Sequence, residues 1–239
     1  MKNTKGQMDF SRRKLMKFGA GFLGTATLAS VLGINLTNSK PAIAQNELTC
    51  DQALAKLMEG NQRFIQNKRM NPHQSLEYLQ SISEEQKPFA AMLGCADSRL
   101  PLEAIFDQGF GDLFVVRDAG NVATEEETGS LEFGTLVLGA KVIMVMGHYG
   151  CGAIKATLQG EEVPGTIGSI LAQIEPAVKD FQGQQEDKEA LKKATEANVK
   201  YQVNKLKQSS VLSELIAANQ LKIVGGYFNF KTGEVTVVS

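Results

Sequence analysis

The chain has 239 residues, of which 43% are hydrophobic and 21% charged. This length fits one large domain or two small ones, and the composition is typical of a soluble globular protein. Seven of the 25 basic residues but only one of the 26 acidic residues lie in residues 1–44, so the remainder carries 18 basic and 25 acidic residues, a formal charge of −7. An acidic domain disfavours nucleic-acid binding and gives no reason to expect a membrane-binding patch.

The first 44 residues have the three parts of an export signal. A basic start contains the adjacent Arg12 and Arg13, a moderately apolar stretch covers residues 18–34, and Ala42-Ile43-Ala44 is a small-x-small cleavage sequence. Adjacent arginines indicate the twin-arginine route. We expect residues 1–44 to be a signal read by the twin-arginine translocase, with an uncleaved membrane anchor or a disordered basic arm as alternatives, and residues 45–239 to be the functional domain.

Helical and strand patterns alternate along that domain. Apolar positions recur at helical spacing over residues 49–70, where Gly60-Asn61 predicts a break into two short helices. The predicted strands are residues 89–93, 112–116, 142–147, 221–228 and 235–238. The predicted helices are residues 76–82, 103–106, 125–139, 153–158, 166–178 with an interruption near Pro176, a short segment at 189–191 within a polar stretch, 195–206 and 211–219. This order predicts an α/β fold, a mostly parallel four-stranded sheet with an antiparallel edge strand, flanked by helices.

Metal-binding residue types follow two of the predicted strands. Cys95 and Asp97 come directly after residues 89–93, and His148 and Cys151 come directly after residues 142–147. If the first strand lies between the second and the third, these side chains meet in the crevice at the carboxyl ends of the strands. Two thiolates, an imidazole and a carboxylate suit tetrahedral zinc better than a hard cation, which prefers oxygen ligands.

The domain contains one further cysteine, Cys50, just before the first predicted helix. Because the number of cysteines is odd and two of them lie in the metal motifs, we assign thiolates to Cys95 and Cys151. For Cys50, a partly buried small residue or an unpaired thiol is favoured over a disulfide between subunits.

Five motifs spread over the domain resemble the β-class carbonic anhydrases. They are Leu54-x-x-Leu57-x-x-Gly60-Asn61-x-Arg63-Phe64, Cys95-Ala96-Asp97-Ser98-Arg99-x-Pro101, residues 111–121 (GDLFVVRDAGN), Gly147-His148-x-x-Cys151-Gly152-Ala153, and Gly225-Gly226-Tyr227-x-x-x-Lys231-Thr232-Gly233-Glu234-Val235. The resemblance implies the fold of that family, one zinc ion per subunit, and reversible hydration of CO2 to bicarbonate and a proton by zinc-bound hydroxide.

The resemblance also implies roles for individual residues. Asp97, held ionised by Arg99, either accepts a hydrogen bond from the hydroxide or ligates zinc as a fourth ligand and closes the site. Gln86 matches the position that hydrogen-bonds the substrate, and the backbone N–H of Gly152 could stabilise the developing anion. A surface ion pair is the alternative for Asp97 and Arg99, and a solvated residue is the alternative for Gln86. His73 is the one histidine left for proton release, although a plain surface histidine fits its sequence context better.

Two other functions remain open for the same metal site. One is hydrolysis of CS2 or COS on the same zinc scaffold, and the other is a non-enzymatic protein with a structural zinc. The resemblance further implies a homo-oligomer, a dimer or higher. An export signal predicts the periplasm, or the thylakoid lumen if the source is photosynthetic.

Overall fold

The sheet is built as the sequence predicts. The computed structural model describes residues 47–239, so the predicted export signal lies outside the described residues. Four strands, β1 to β4, are parallel, and β5 pairs with β4 in the antiparallel direction at one edge, in the order β2-β1-β3-β4-β5. The strands are β1 (Ala90–Cys95), β2 (Leu113–Asp118), β3 (Val142–His148), β4 (Lys222–Asn229) and β5 (Glu234–Val237). The first strand therefore lies between the second and the third.

Helices cover both faces of the sheet. They are α1 (Cys50–Ile65), α2 (Leu76–Ser81), α3 (Leu102–Ile105), α4 (Glu125–Glu132), α5 (Gly152–Gln159), α6 (Ile167–Val178), α7 (Lys188–Lys207) and α8 (Ser210–Ala217), with a π-helical turn at Phe133–Val137 after α4 and a 3-10 turn at Lys179–Phe181 after α6. Within residues 47–239, none of these helices has the length and apolarity needed to cross a membrane.

Alternate side chains of the central strands enter two separate apolar clusters. Met92 and Met144 pack in the cluster with α1, α3, α5 and α6, while Leu93 and Val145 pack in the cluster with α4, α7 and α8. Successive side chains of a strand point to opposite faces, so a strand covered on both sides needs an apolar residue at every position. This explains why β1 and β3 are continuous apolar runs in the sequence.

Helix α1 is unbroken, so the predicted break at Gly60-Asn61 is wrong. A Cβ on Gly60 would lie 1.7 Å from the carbonyl oxygen of Phe106, so the glycine permits a close backbone approach. Asn61 is fully buried, and its side chain donates to the carbonyl of Gly233 and accepts from the N–H of Val235. These two residues join α1 to other elements instead of ending it.

Two further helix predictions need correction. Helix α6 continues through Pro176, because the buried Ile174 and Val178 hold its last turn against the core. Helix α7 begins at Lys188 and is continuous, so it joins the short helical segment predicted at residues 189–191 to the helix predicted from Thr195. Asp187 caps it by accepting hydrogen bonds from the N–H groups of the first turn.

Candidate metal centre

Three metal-binding side chains meet at the carboxyl ends of neighbouring strands. Cys95 is the last residue of β1, His148 is the last residue of β3, and Cys151 is the N-cap of α5. Because β1 and β3 are parallel neighbours, their carboxyl ends lie side by side. The ligand atoms of these three residues all lie within 4.8 Å of one another, and all three residues are buried.

The geometry of the group fits tetrahedral zinc. The Sγ atoms of Cys95 and Cys151 are 3.9 Å apart, while two sulfurs bound to one tetrahedral zinc at about 2.3 Å would lie roughly 3.8 Å apart. Nδ1 of His148 is 3.1 Å from the carbonyl oxygen of Tyr149, so Nδ1 carries the proton and donates it. Nε2 of His148 is then a free acceptor, and among the described residues it has no hydrogen-bond partner.

The two thiols are electrostatically unequal without a cation. The hydrogen bond from Cys151 lowers the pKa of the Cys95 thiol to about 4, against the opposing effect of burial. The same shared proton, together with burial, raises the pKa of Cys151 well above its ordinary value. One thiolate therefore forms readily, whereas the second needs a positive charge beside it, which a divalent metal ion provides.

Asp97 lies at the edge of this group with both carboxylate oxygens bonded to Arg99. Nε of Arg99 donates to Oδ1 at 2.9 Å and Nη2 donates to Oδ2 at 2.7 Å, and the backbone N–H of Arg99 donates to Oδ1 at 3.0 Å. These bonds hold the pKa of Asp97 well below its usual range. Oδ2 of Asp97 is 3.9 Å from Nε2 of His148. The carboxylate thus stands beside the three ligands while pairing with the arginine.

Phe230 is a residue of this site that the sequence reasoning missed. Its ring centroid is 4.4 Å from Cζ of Arg99 and 5.1 Å from the ring centroid of His148. The ring therefore packs on a proposed metal ligand and on the arginine that holds Asp97. The pairing of β4 with β3 explains this placement, because it sets Phe228 opposite His148, two residues before Phe230.

The structure places Gly152 at the centre but Gln86 and His73 away from it. Gly152 opens α5 next to Cys151, and a Cβ added there would meet nothing within 4 Å. Gln86 is exposed and precedes β1, whereas Cys95 ends that strand. A six-residue strand spans roughly 20 Å, so Gln86 and Cys95 of one chain lie at opposite ends of the sheet. His73 contacts Asp112, which directly precedes β2, so it lies at the same end as Gln86.

Comparisons with known proteins agree on one family. The sequence profile of the family described as carbonic anhydrase matches residues 90–235. Carbonic anhydrase 2 of Mycobacterium tuberculosis is 36% identical over 186 residues, which cover 76% of this chain and 89% of the relative.

Two solved structures have the same fold. The β-carbonic anhydrase CafA of Aspergillus fumigatus is 26% identical with a TM-score of 0.63, and the match covers 78% of this chain and 89% of that one. The Coccomyxa β-carbonic anhydrase, solved with acetazolamide, is 27% identical with a TM-score of 0.61, and the match covers 77% and 85% of the two chains.

Proposed function

This chain belongs to the β-class carbonic anhydrases, and from that premise we propose how its residues carry out the reversible hydration of CO2 to bicarbonate. It is a zinc enzyme, and the observation that carries the mechanism is the buried Cys95, His148 and Cys151 group with an ion-paired carboxylate beside it. These three residues would hold the zinc ion, and the chemistry that zinc would supply is a lowered pKa of water, which makes a hydroxide nucleophile available near neutral pH.

Asp97 orients the nucleophile by accepting a hydrogen bond at Oδ2. Two thiolates would offset the charge of a bound Zn2+ and make it a weaker Lewis acid, so an ionised acceptor beside the site would compensate in part. Arg99 keeps that acceptor ionised and holds its two oxygens in a fixed plane. With both oxygens paired to the arginine, Asp97 would serve as an acceptor beside a bound ion, and its use as a fourth ligand would require the pair to open.

Substrate binding is assigned to Gly152 of the same chain and Gln86 of a second copy. The N–H of Gly152, at the start of α5 with open space around its Cα, is suited to the negative charge of bicarbonate. Gln86 lies too far from Cys95 to serve the site of its own chain. Exposed apolar side chains at the same end of the sheet, Met70, Leu76 and Phe110 at 69%, 64% and 44%, support an interface between copies there.

The catalytic assignment is tested by stopped-flow CO2 hydration on zinc-loaded residues 45–239. We expect Asp97→Ala and Arg99→Ala to keep one zinc per chain and to lose activity by roughly 10²-fold or more, because a positioned acceptor is lost. Acetazolamide, which the Coccomyxa relative binds, should inhibit the unmodified protein. Full activity in both variants would contradict the role of the pair, and zinc-loaded protein inactive up to pH about 9 would contradict the function.

Neither alternative function has a contact in its favour among the described residues. A structural zinc needs no carboxylate held by an arginine beside three ligands. Hydrolysis of CS2 or COS would use the same three ligands, so the same preparation should be assayed with COS. A higher specificity constant for COS than for CO2 would assign the alternative.

A complementation experiment tests the shared site. Gln86→Ala copies have an intact metal centre without the partner's amide, and Cys151→Ser copies have the amide without an intact centre. If Gln86 acts across the interface, mixing and re-annealing the two inactive proteins should restore part of the activity, since every mixed dimer contains one complete site. No gain in dimers whose mixing is verified by mass spectrometry would contradict the assignment.

Export through the twin-arginine route is also part of the proposal, with the periplasm, or a thylakoid lumen in a photosynthetic source, as the destination. All three cysteines in the described residues are free, and Cys95 and Cys151 lie close enough for an oxidising compartment to threaten them before zinc binds. Export of folded, metal-loaded protein avoids that risk. Changing Arg12 and Arg13 together to lysine should leave the full-length protein in the cytoplasm, while the unmodified protein appears outside it, shortened near residue 44. Equal export of both would contradict the route.

A further inference from the structure

We propose that Asn198 and Gln202, two buried amides of α7, are positioning residues. They hold residues 120–123, the Gly120 turn, so that the N–H of Gly120 donates a hydrogen bond to the Cys95 thiolate. The inference rests on zinc binding by Cys95 and adds residues that touch neither the metal nor the substrate.

The first step is the hydrogen bond to sulfur. The backbone N–H of Gly120 donates to Sγ of Cys95 at 3.3 Å, in buried surroundings. Gly120 has φ +89°, and a Cβ there would lie 2.6 Å from Cδ1 of Ile174. The turn therefore needs a glycine to bring its N–H to the sulfur.

The second step is how α7 fixes this turn. Nδ2 of Asn198 donates to the carbonyl of Gly120 at 2.9 Å, and Oε1 of Gln202 accepts from the N–H of Ala123 at 3.0 Å. Nε2 of Gln202 donates to Oδ1 of Asn198 at 3.0 Å and to the carbonyl of Gln173 at 3.1 Å. The two amides thus bond one backbone group near each end of the turn, and their mutual bond sets which way each amide faces.

Packing alone does not require amides at positions 198 and 202. Asn198 and Gln202 are fully buried, and their neighbours on the same helix, Val199, Val203 and Leu206, are apolar core residues. Burying a polar side chain is unfavourable unless it finds hydrogen-bond partners. Apolar residues would fill the space, so the amides are explained by the backbone groups that they bond.

The last step is the consequence for the metal. A hydrogen bond to a metal-bound thiolate withdraws charge from the sulfur, so the thiolate donates less charge to the ion. In a centre with two thiolates this preserves Lewis acidity. Helix α7 also lies against the strand that carries His148, because a Cβ on Gly147 would be 2.6 Å from Val199. One helix therefore supports two of the three ligands.

The first test uses the unmodified protein loaded with 113Cd and labelled with 15N. We expect a scalar coupling between the Gly120 amide proton and the cadmium nucleus, transmitted through the hydrogen bond and the sulfur. Stoichiometric cadmium with no coupling at Gly120 would overturn the inference without affecting the proposed function. Failure to bind stoichiometric zinc or cadmium would instead count against the metal site itself.

The second test uses Asn198→Leu and Gln202→Met, which keep approximate volume and remove the amides. Both should lose the coupling at Gly120, bind zinc roughly 10–100-fold more weakly, and shift the sulfur-to-cobalt charge-transfer band of the cobalt-substituted protein. The midpoint of the pH profile for CO2 hydration should move to higher pH. Val203→Ala, a core truncation on the same helix with no bond to the turn, is the matched control. Variants that lose thermal stability like the control but keep its zinc affinity and cobalt spectrum would reduce the amides to a structural role and overturn the proposal.

Discussion

His148, at the carboxyl end of the sheet, and Asp107, near the start of β2, differ in how their buried polar atoms are bonded. At the carboxyl end, Nε2 of His148 has no hydrogen-bond partner in the described chain, and it lies beside the buried thiols of Cys95 and Cys151, whose Sγ atoms are 3.9 Å apart. Near the start of β2, the buried carboxylate of Asp107 accepts from Arg63 at 2.6 Å and from the N–H groups of Met70 and Asn71.

The difference separates a ligand site from a structural joint. Buried polar groups are almost always bonded, so Nε2 of His148, left open beside two buried thiols, marks a place where a metal ion fits. A buried carboxylate with every partner inside the chain has nothing left to offer a ligand, and it contributes to stability instead. Substitutions at the carboxyl end should therefore lower zinc affinity and activity, whereas substitutions near the start of β2 should lower the free energy of unfolding.

The largest effect is expected for Cys151→Ser at the carboxyl end. Serine cannot supply the second thiolate, so the loss of zinc affinity should exceed the roughly 10–100-fold that outer-shell substitutions cost, and CO2 hydration should fall to background. Zinc content by elemental analysis and thermal unfolding of the metal-free proteins are the measurements. Metal-free variant and metal-free unmodified protein should unfold at similar temperatures. Stoichiometric zinc and undiminished activity in the variant would break the comparison.

Asp107→Asn should lower stability and leave zinc binding intact, the reverse of what is expected for Cys151→Ser. The amide keeps one acceptor oxygen but loses the charge that pairs with Arg63, so we expect a loss of about 2–4 kcal/mol in the free energy of unfolding. Zinc affinity and kcat of the folded fraction should stay unchanged, because the residue lies away from the metal centre. Urea unfolding measures the free energy of unfolding, zinc titration measures the affinity for zinc, and stopped-flow assays measure kcat. Reduced zinc affinity at unchanged stability would contradict the distinction.

Sequence reasoning succeeded where the information is local. The runs around Met92 and Met144 identify strands because both faces of the sheet are covered, and parallel strands bring residues just after them together. That is why Cys95, His148 and Cys151 could be assigned to one centre. The roles of Asp97 and Arg99 stay predictions, although the pair itself is formed.

It failed where the deciding contact is distant in sequence. Gly60 and Asn61 have the composition of a helix break, yet their partners Phe106 and Val235 are far along the chain and fit a continuous helix. Phe230 was missed because its approach to Arg99 depends on the pairing of β4 with β3, which follows no local motif. The separation of Gln86 from Cys95 also depends on β1, which lies between them, and the sequence motifs alone do not give that distance.

Phe230→Leu tests whether the aromatic ring at the carboxyl end helps to hold Arg99. Leucine keeps an apolar side chain but lacks the aromatic face on which the guanidinium of Arg99 lies, so the Asp97 pair should be held less firmly. We expect kcat/KM to fall by about tenfold, equivalent to about 1.4 kcal/mol, with zinc still bound. Phe181→Leu, a partly buried phenylalanine packed on the core away from the metal centre, is the control. Equal losses in the two variants would remove any specific role for the ring.

A last prediction concerns Asp118, an acid at the carboxyl end with one bonded and one open oxygen. Asp118 ends β2 opposite Cys95; its Oδ1 accepts from the N–H of Val122 at 2.8 Å, while its buried Oδ2 has no partner among the described residues. Burial, with smaller contributions from Glu127 and Cys95, raises the pKa of Asp118 to about 7. Below pH about 4 the acid is protonated in both the folded and unfolded states, so it costs nothing there.

Between pH about 4 and 7 the unfolded state loses the proton that the folded state keeps, so this group makes folding progressively less favourable as pH rises. Asp118→Asn removes that pH dependence while retaining an acceptor for Val122. We therefore expect the free energy of unfolding of the variant, relative to that of the unmodified protein, to be about 1–2 kcal/mol larger at pH 8 than at pH 5, after discounting for partial exposure. Thermal unfolding of the zinc-loaded proteins at both pH values measures the gain, with the exposed Asp180→Asn as control. If the gain is equal at both pH values, burial does not raise the pKa of Asp118 in the folded protein. The unpartnered Oδ2 would then be no sign of an acid with a raised pKa.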